Sequence, residues 1–236
     1  MKSLIIFKVG DTFPDLAAEL GDFEQWIKTG LGQTALPVTV IDPRKNDPLP
    51  AIATVAGAVI TGSHSMVTDQ EEWSENLGAW LREAVAAHVP LLGICYGHQL
   101  LAHALGGEVS NHPVGLEIGT VSVALNEHAK DDPLLGNLPA TFPAQVVHRQ
   151  SVRTLPPGAT LLGGNDFEPH QAYRVGSCAW GVQFHPEFSP KAMASYVQHM
   201  SKQSRIAGKP AETVLQQIRA TEHAADVLKK FGALVA

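Results

Sequence analysis

One cysteine of the chain lies between two glycines in the stretch GICYG, residues 93–97. The apolar run VPLLGI leads into it and HQLLAHAL follows with helical periodicity, so the cysteine is expected where a strand turns sharply into a helix. Glycines two positions before and after the central residue remove Cβ atoms that would collide in such a turn, a pattern typical of a nucleophile elbow. We therefore predict that Cys95 is a nucleophile. A cysteine without this pattern is most often a buried apolar side chain, and we assign Cys178 to the core.

The helix predicted after Cys95 is expected to direct its first amides at the thiol. The positive end of the helix dipole favours a thiolate, which is the reactive form of cysteine. The amide of Tyr96, the next residue, is also expected to face the oxygen of a tetrahedral intermediate. One short stretch therefore predicts both a nucleophile and an oxyanion donor.

A cysteine nucleophile needs an imidazole to take and return a proton, and usually an acid to orient that imidazole. The stretch GVQFHPEFSP, residues 181–190, places His185 at the end of a predicted strand. Glu187 follows two residues later, on the same side if the chain stays extended, and Pro186 favours that conformation for His185. We predict His185 as the base and Glu187 as the acid that orients it. Alone, the triplet is a weak pattern, and its weight comes from the elbow cysteine that needs such a partner.

Two further histidines, His98 and His103, follow the elbow on the same predicted helix. They are five residues apart, whereas two metal ligands on one helix face are four apart. We therefore predict no metal site, and nothing in the sequence indicates a cofactor.

Composition and charge exclude some classes of partner and indicate a cellular compartment. A net charge of −6 without a basic run argues against nucleic acid, because phosphate binding needs clustered Lys and Arg. No apolar run is long enough to span a bilayer. The apolar run within the first ten residues is too short for a signal peptide. Two cysteines give no disulfide framework, so a cytoplasmic protein with free thiols is predicted.

Apolar runs alternate with stretches of helical periodicity in the first half of the chain, which predicts βαβ units around a largely parallel sheet. The strands are predicted at residues 3–9, 36–42, 57–62 and 89–94. Helices are predicted at residues 13–30 and 71–88.

Beyond Gly107, short apolar runs between Gly and Pro turns predict strands that extend the sheet or add a small antiparallel one. They lie at residues 117–125, 140–148, 158–164, 170–176 and 178–184. Residues 209–235 have helical periodicity, and their apolar face is expected to dock on the chain's own domain or to form a homodimer. We predict a domain over residues 1–200 and a helical extension over residues 201–236.

Together, GICYGHQ and GVQFHPEF resemble the class I (triad) glutamine amidotransferases, whose elbow is Gly-x-Cys-x-Gly-x-Gln and whose base lies in a downstream His-Pro-Glu. The resemblance covers residues 4–200 and is strongest to the glutaminase domain of GMP synthase and its stand-alone relatives. It implies a flavodoxin-like α/β fold with a mostly parallel sheet flanked by helices and a smaller antiparallel part.

The resemblance also implies roles in the hydrolysis of glutamine. Cys95 would attack the side-chain amide and form a γ-glutamyl thioester. His185 would protonate the departing ammonia and then activate water, and Glu187 would orient His185. Gln99 matches the glutamine of the elbow motif that helps to hold the substrate.

Two motifs depart from the family pattern. In VITGSHSMV, Ser63 stands where the family has the second glycine of a Gly-Gly-Pro turn that supplies an oxyanion amide. A backbone amide survives this change, although the turn would differ if φ were positive there. The segment His148, Arg149, Gln150, where the family's main chain lines the glutamine pocket, departs from the more common His-Gly-Asp.

The acceptor of the ammonia is not indicated within these 236 residues, because they contain no Gly-rich phosphate loop of an ATP-dependent domain. The resemblance therefore implies either a separate synthetase subunit as partner or hydrolysis without an acceptor. Three alternatives stay open: a hydrolase of another γ-glutamyl amide, a catalytically silent glutamine-sensing module, and an unrelated elbow hydrolase. The silent module has no need of an intact triad, and the unrelated hydrolase does not predict His-Pro-Glu.

Overall fold

A sheet of nine strands runs through the computed structural model of the protein, which describes residues 2–203 and 210–236. In chain order the strands of the described residues are β1 (Ser3–Phe7), β2 (Val38–Ile41), β3 (Val55–Ile60), β4 (Leu91–Ile94), β5 (Glu108–Asn111), β6 (Glu117–Leu125), β7 (Thr141–His148), β8 (Gln150–Thr154), β9 (Ala159–Gly164), β10 (Ala172–Val175) and β11 (Ala179–Val182). The helices are α1 (Pro14–Leu20), α2 (Phe23–Leu31), α3 (Glu72–Ala86), α4 (Tyr96–Ala104), α5 (Pro190–Gln203), α6 (Ala211–Gln217) and α7 (Glu222–Val235).

The large sheet has a parallel half and an antiparallel half. Its order is β2-β1-β3-β4-β11-β10-β9-β6-β7, parallel from β2 to β11 and antiparallel from β11 to β7. A separate antiparallel pair joins β5 to β8. The predicted fold class is confirmed, and the late strands extend the main sheet.

Alternate residues of β1 show how the helices cover the sheet. Leu4 and Ile6 pack with α2 and α7 in one apolar cluster, whereas Ile5 and Phe7 pack with α3 and α4 in another. Each strand residue points to the opposite face from its neighbour, so β1 is buried on both sides. β4 is buried on both sides in the same way, with Leu92 and Ile94 in the first cluster and Leu91 in the second.

The predicted helix over residues 13–30 is wrong as one element, because the structure divides it into α1 and α2. Gly21 ends α1 with φ 84°, a left-handed conformation that glycine adopts easily. The side chain of Asp22 then accepts the amide of Phe23 and caps α2. The apolar spacing continued through the break, which hid it.

The last two helices, α6 and α7, pack against other elements of the same chain. Leu228 of α7 lies against Gly30 of α2, where an added Cβ would come within 2.5 Å of its Cδ1 atom. α6 packs on β6 and α5, so both helices of the predicted extension are covered by the chain itself. Residues 204–209 of that extension lie outside the described residues. The division at residue 200 and a homodimer stay predictions.

Of the described residues, no helix is both long enough and apolar enough to cross a membrane.

Candidate active site

The backbone at Cys95 has the strained shape of an elbow. Cys95 follows β4 directly, precedes α4 and has φ 51°, a conformation that costs a non-glycine residue free energy. A Cβ on Gly93 would lie 2.4 Å from the carbonyl oxygen of Gly97. A Cβ on Gly97 would lie 2.6 Å from the carbonyl oxygen of Ile60 in β3. Gly93 is therefore required within the turn, as the sequence indicated, whereas Gly97 is required by the close approach of β3.

His185 lies close to Cys95, and Gly62 lies beside both residues. A Cβ on Gly62 would lie 3.0 Å from Cε1 of His185 and 3.8 Å from Cβ of Cys95. Nε2 of His185 is buried and has no hydrogen-bond partner among the described residues. That nitrogen is therefore free to exchange a proton with the sulfur or with a substrate.

Glu187 contacts the other nitrogen of His185. Nδ1 of His185 is 2.7 Å from Oε1 of Glu187, and both side chains are almost completely buried. The contact is made through a turn over residues 185–188, in which the amide of Phe188 points to the carbonyl of His185. The extended chain considered from the sequence is not what brings the two groups together.

The charge state of His185 follows from these neighbours. Burial works to lower its pKa, but the negative charges of Glu187 and Cys95 outweigh burial and raise the pKa to about 10. A protonated imidazole and the N-terminal end of α4 then both place positive charge beside the sulfur. The imidazolium is then placed to give its proton to a leaving group.

A cavity of about 290 Å³ opens over these groups. Seven of the nine residues predicted for the site line it: Cys95, His185, Ser63, Gln99, His148, Arg149 and Gln150. Its size is near the lower end for small-molecule sites and suits a substrate as small as an amino acid.

Glu187 and Tyr96 do not line the cavity. Glu187 lies behind His185, whereas the Tyr96 side chain leaves the site and bonds to Ser74, with its oxygen 2.7 Å from Oγ. Burial raises the pKa of Tyr96 to about 12. Only the backbone amide of Tyr96 can serve the site; it is the first of α4, where amides lack partners within the helix.

The turn that contains Ser63 has room for a side chain. Among the described residues outside glycine, positive φ occurs at four positions, and Ser63 is not one of them. Its hydroxyl accepts the amide of Ser65 at 3.1 Å. Serine therefore fits this turn without backbone strain, and its own amide remains as a candidate oxyanion donor.

Gln99 lines the cavity and is held by hydrogen bonds to other residues. Its Nε2 donates to the carbonyl of Gln150 at 2.7 Å and to Oε1 of Gln183 at 3.0 Å. The side-chain nitrogen Nε2 of Gln150 in turn donates to Thr68 Oγ1 at 2.6 Å. These side chains fix the walls of the cavity by bonding to the protein itself.

An aromatic group that the sequence did not indicate stands on the His185 side of the cavity. We call Phe13, Phe23, His64 and Tyr196 the aromatic wall. Phe23 stacks towards His185 with ring centroids 6.5 Å apart, and Phe13 lies 4.9 Å from both His64 and Tyr196. Phe23 lies on α2 and Tyr196 on α5, whereas Phe13 immediately precedes α1 and His64 lies in a loop. No local spacing could therefore have identified them.

His64 adds little charge to this wall. It lines the cavity and is exposed to solvent, but desolvation by its neighbours, together with the positive charge of His185, lowers the pKa of His64. Its ring is therefore neutral near pH 7.

The site and the fold agree with one family of proteins. The family described as glutamine amidotransferase class-I matches residues 18–203, so the chain belongs to the class I glutamine amidotransferases. The chain is 34% identical over 134 residues to a GMP synthase (glutamine-hydrolysing) of Porphyromonas gingivalis, a match of 56% of this chain and 25% of that protein. A GMP synthase of Thermosipho africanus is 36% identical over 124 residues, 50% of this chain and 23% of that protein.

A solved structure resembles nearly the whole chain. A glutamine amidotransferase from Methylobacillus flagellatus superposes with a TM-score of 0.76 at 25% identity, covering 99% of this chain and 93% of that one. By contrast, the chain spans about a quarter of the length of the GMP synthases it matches.

Proposed function

We propose that the chain hydrolyses the side-chain amide of glutamine through a γ-glutamyl thioester on Cys95. The observation that carries the proposal is the strained elbow at Cys95 beside His185, with Glu187 bonded to the far nitrogen of that histidine. Membership of the class I glutamine amidotransferases supports the choice of glutamine.

In the first step the Cys95 sulfur attacks the amide carbon, and a C–S bond forms as the carbonyl oxygen takes a negative charge. The amides of Ser63 and Tyr96 are the proposed donors to this oxygen. When the intermediate collapses, the C–N bond breaks and Nε2 of His185 gives its proton to the nitrogen, which leaves as ammonia.

In the second step water replaces the thiolate. The now neutral His185 takes a proton from water as the water oxygen attacks the thioester carbon. The C–S bond then breaks, which releases glutamate and returns the thiolate and imidazolium pair. Glu187 holds the ring through Nδ1 and stabilises the imidazolium at both stages.

We propose a synthetase partner as the acceptor of the ammonia. The relatives named GMP synthase match this chain over about a quarter of their own length, which supports a division of labour between a glutaminase part and the rest of those proteins. A cytoplasmic location is part of the same proposal.

The decisive experiment measures glutamate and ammonia release from glutamine by the purified chain, with Cys95→Ala as the control. Release that depends on Cys95 supports the proposal. If there is no release, and a glutamine-like electrophile such as a diazoketone analogue also fails to label Cys95, glutamine is not the substrate.

The aromatic wall favours a second candidate, hydrolysis of γ-glutamyl amides with an apolar substituent on the amide nitrogen. The leaving nitrogen must lie beside His185, which protonates it, and Phe23 and His64 line the cavity next to that histidine. Ammonia gains nothing from apolar neighbours, whereas an aryl or alkyl amine would bury its apolar surface against them.

γ-Glutamyl anilide and glutamine, assayed side by side, separate the two candidates. If the wall binds the leaving group, Phe13→Ala lowers kcat/KM for the anilide about tenfold, as expected from lost apolar burial, and leaves glutamine within about threefold. An equal effect on both substrates, or an anilide that is not cleaved, rejects the second candidate.

A further inference from the structure

Glu117 and His148 form a buried pair next to the cavity. They lie opposite each other on the antiparallel strands β6 and β7, which places their side chains on the same face of the sheet. Oε2 of Glu117 is 2.8 Å from Nε2 of His148, and the two residues are 7% and 4% exposed.

The partners of His148 fix where its protons must be. Nδ1 is 2.9 Å from the carbonyl oxygen of Gln150, and a carbonyl can only accept, so Nδ1 carries a proton. The carboxylate of Glu117 at Nε2 satisfies the other nitrogen. Whether the shared proton sits on the imidazole or on the carboxyl, the pair holds His148 in the form that donates to Gln150.

The carbonyl oxygen of Gln150 accepts hydrogen bonds from two residues that line the cavity. The donors are Nδ1 of His148 and Nε2 of Gln99, which lies on α4 four residues after Cys95. Three residues earlier, the carbonyl of Val147 is 3.6 Å from the Cys95 sulfur. The main chain of residues 147–150 therefore forms one wall over the nucleophile, and His148 and Gln99 fix its far end.

We propose that Glu117 is a positioning residue for the substrate: through His148 it fixes residues 147–150, and this sets the affinity for glutamine without touching it. The inference rests on the proposed function.

The pairing of β6 with β7 does not depend on Glu117 alone. Eight residue pairs hold the register of β6 and β7, whereas the carboxylate is surrounded by donors of its own: His148, Gln171 at 3.0 Å and Asn165 at 3.0 Å. A buried carboxylate with three donors, placed one bond away from the cavity wall, is expected to serve the geometry of that wall.

Glutamine protection of Cys95 against iodoacetamide tests the proposal whether or not the purified chain turns glutamine over. In Glu117→Ala, half-protection should need at least about ten times more glutamine than in wild type, while the alkylation rate without glutamine stays the same. Where turnover is measured, KM should rise by the same factor with kcat within about threefold.

Glu117→Gln is the conservative variant that should restore binding. Its amide can donate to Nε2 of a neutral His148, which keeps the proton on Nδ1. Gln171 can accommodate this by turning its own amide, because its Oε1 has no partner among the described residues. We expect half-protection within about threefold of wild type. Glu127→Ala, at an exposed ion pair with Lys130, is the matched control and should leave protection unchanged.

If Glu117→Ala does not fold, His148→Asn against His148→Ala decides, because an Asn amide can still donate to Gln150 and Ala cannot. Full protection in folded Glu117→Ala, or equal protection in both His148 variants, overturns the inference and leaves the proposed function intact. If glutamine does not protect wild-type Cys95 at all, the proposed function fails and this inference fails with it.

Discussion

Glu187 holds a carboxylate oxygen 2.7 Å from Nδ1 of His185, and neither side chain is more than 2% exposed. Water cannot screen a pair buried so fully, so the charge of Glu187 acts strongly on the imidazole. Despite burial, which alone would lower it, the pKa of His185 is raised to about 10 by Glu187 and Cys95. The histidine is thus an acid at neutral pH, as protonation of a leaving nitrogen requires.

This pair predicts a pH dependence of stability. The pKa of His185 is higher in the folded chain than the value of about 6.5 expected when unfolded, so the native state binds the proton more tightly. The stabilisation is complete below about pH 6.5 and is lost as the pH rises towards 10. Glu187→Gln removes the charge and should flatten the fall of Tm over that range, which calorimetry at a series of pH values would measure. Parallel Tm curves for the two proteins would contradict this origin of the shift.

The same geometry predicts unequal losses of activity in the triad. His185→Ala removes the proton donor and should lower kcat by about 10⁴-fold or more. Glu187→Gln keeps a hydrogen-bonding side chain and loses only the charge, so its loss should be smaller. Initial rates of glutamate release at saturating glutamine measure both. A larger loss in Glu187→Gln than in His185→Ala would show that Glu187, and not His185, has the central role.

The elements that could be predicted are those specified by residues close together in the sequence. The elbow could be predicted because Gly93 and Gly97 stand at fixed distances from Cys95, and β6 was predicted at its observed bounds because its apolar run is long. The strands β5 and β8 were not predicted. They are short, mostly polar and pair only with each other, so neither has the alternation of a strand that covers a core.

The contacts that build the cavity walls could not be predicted from local sequence either. Phe13 and Tyr196 meet although 183 positions separate them along the chain, and Glu117 reaches His148 only because β6 and β7 pair in one register. A lone glutamate at the start of an apolar strand gives no local sign of a buried partner. Contacts of this kind depend on tertiary packing, which no spacing rule on a single sequence contains.

Cys95→Ala should abolish glutamine hydrolysis while leaving the fold intact. Cys95 is buried in an apolar cluster and also lines the cavity, so the small change to Ala should cost little stability, whereas the chemistry loses its nucleophile. The loss in kcat should be about 10⁴-fold or more, with an unchanged circular dichroism spectrum. Cys178→Ala is the matched control: it is a buried, free thiol in the core and should keep wild-type turnover. Turnover by Cys95→Ala at the wild-type rate would exclude covalent catalysis.

Ser63→Gly should change activity by no more than about threefold. The proposed oxyanion donor is the backbone amide, which this substitution keeps, and the hydroxyl instead accepts the amide of Ser65. Loss of an oxyanion donor typically costs about 10²–10³-fold in kcat, so the two cases are well separated. A fall of that size in Ser63→Gly, measured as kcat for glutamine, would mean that the serine side chain takes part.

Gly97→Ala should destabilise the chain by about 2–4 kcal/mol, because its Cβ would lie 2.6 Å from the Ile60 carbonyl oxygen and 2.7 Å from the Ile60 Cβ atom. Both neighbours belong to β3, a central strand that cannot move aside, so α4 must shift away and carry the elbow with it. Gly78→Ala is the matched control in α3, where the new Cβ would meet Ala104 at an ordinary 3.5 Å. Alanine is the better helix former by about 1 kcal/mol, so this control should be as stable as wild type or more stable. Urea unfolding gives both values, and equal midpoints for the two variants would show that the elbow does not rest against β3 as described.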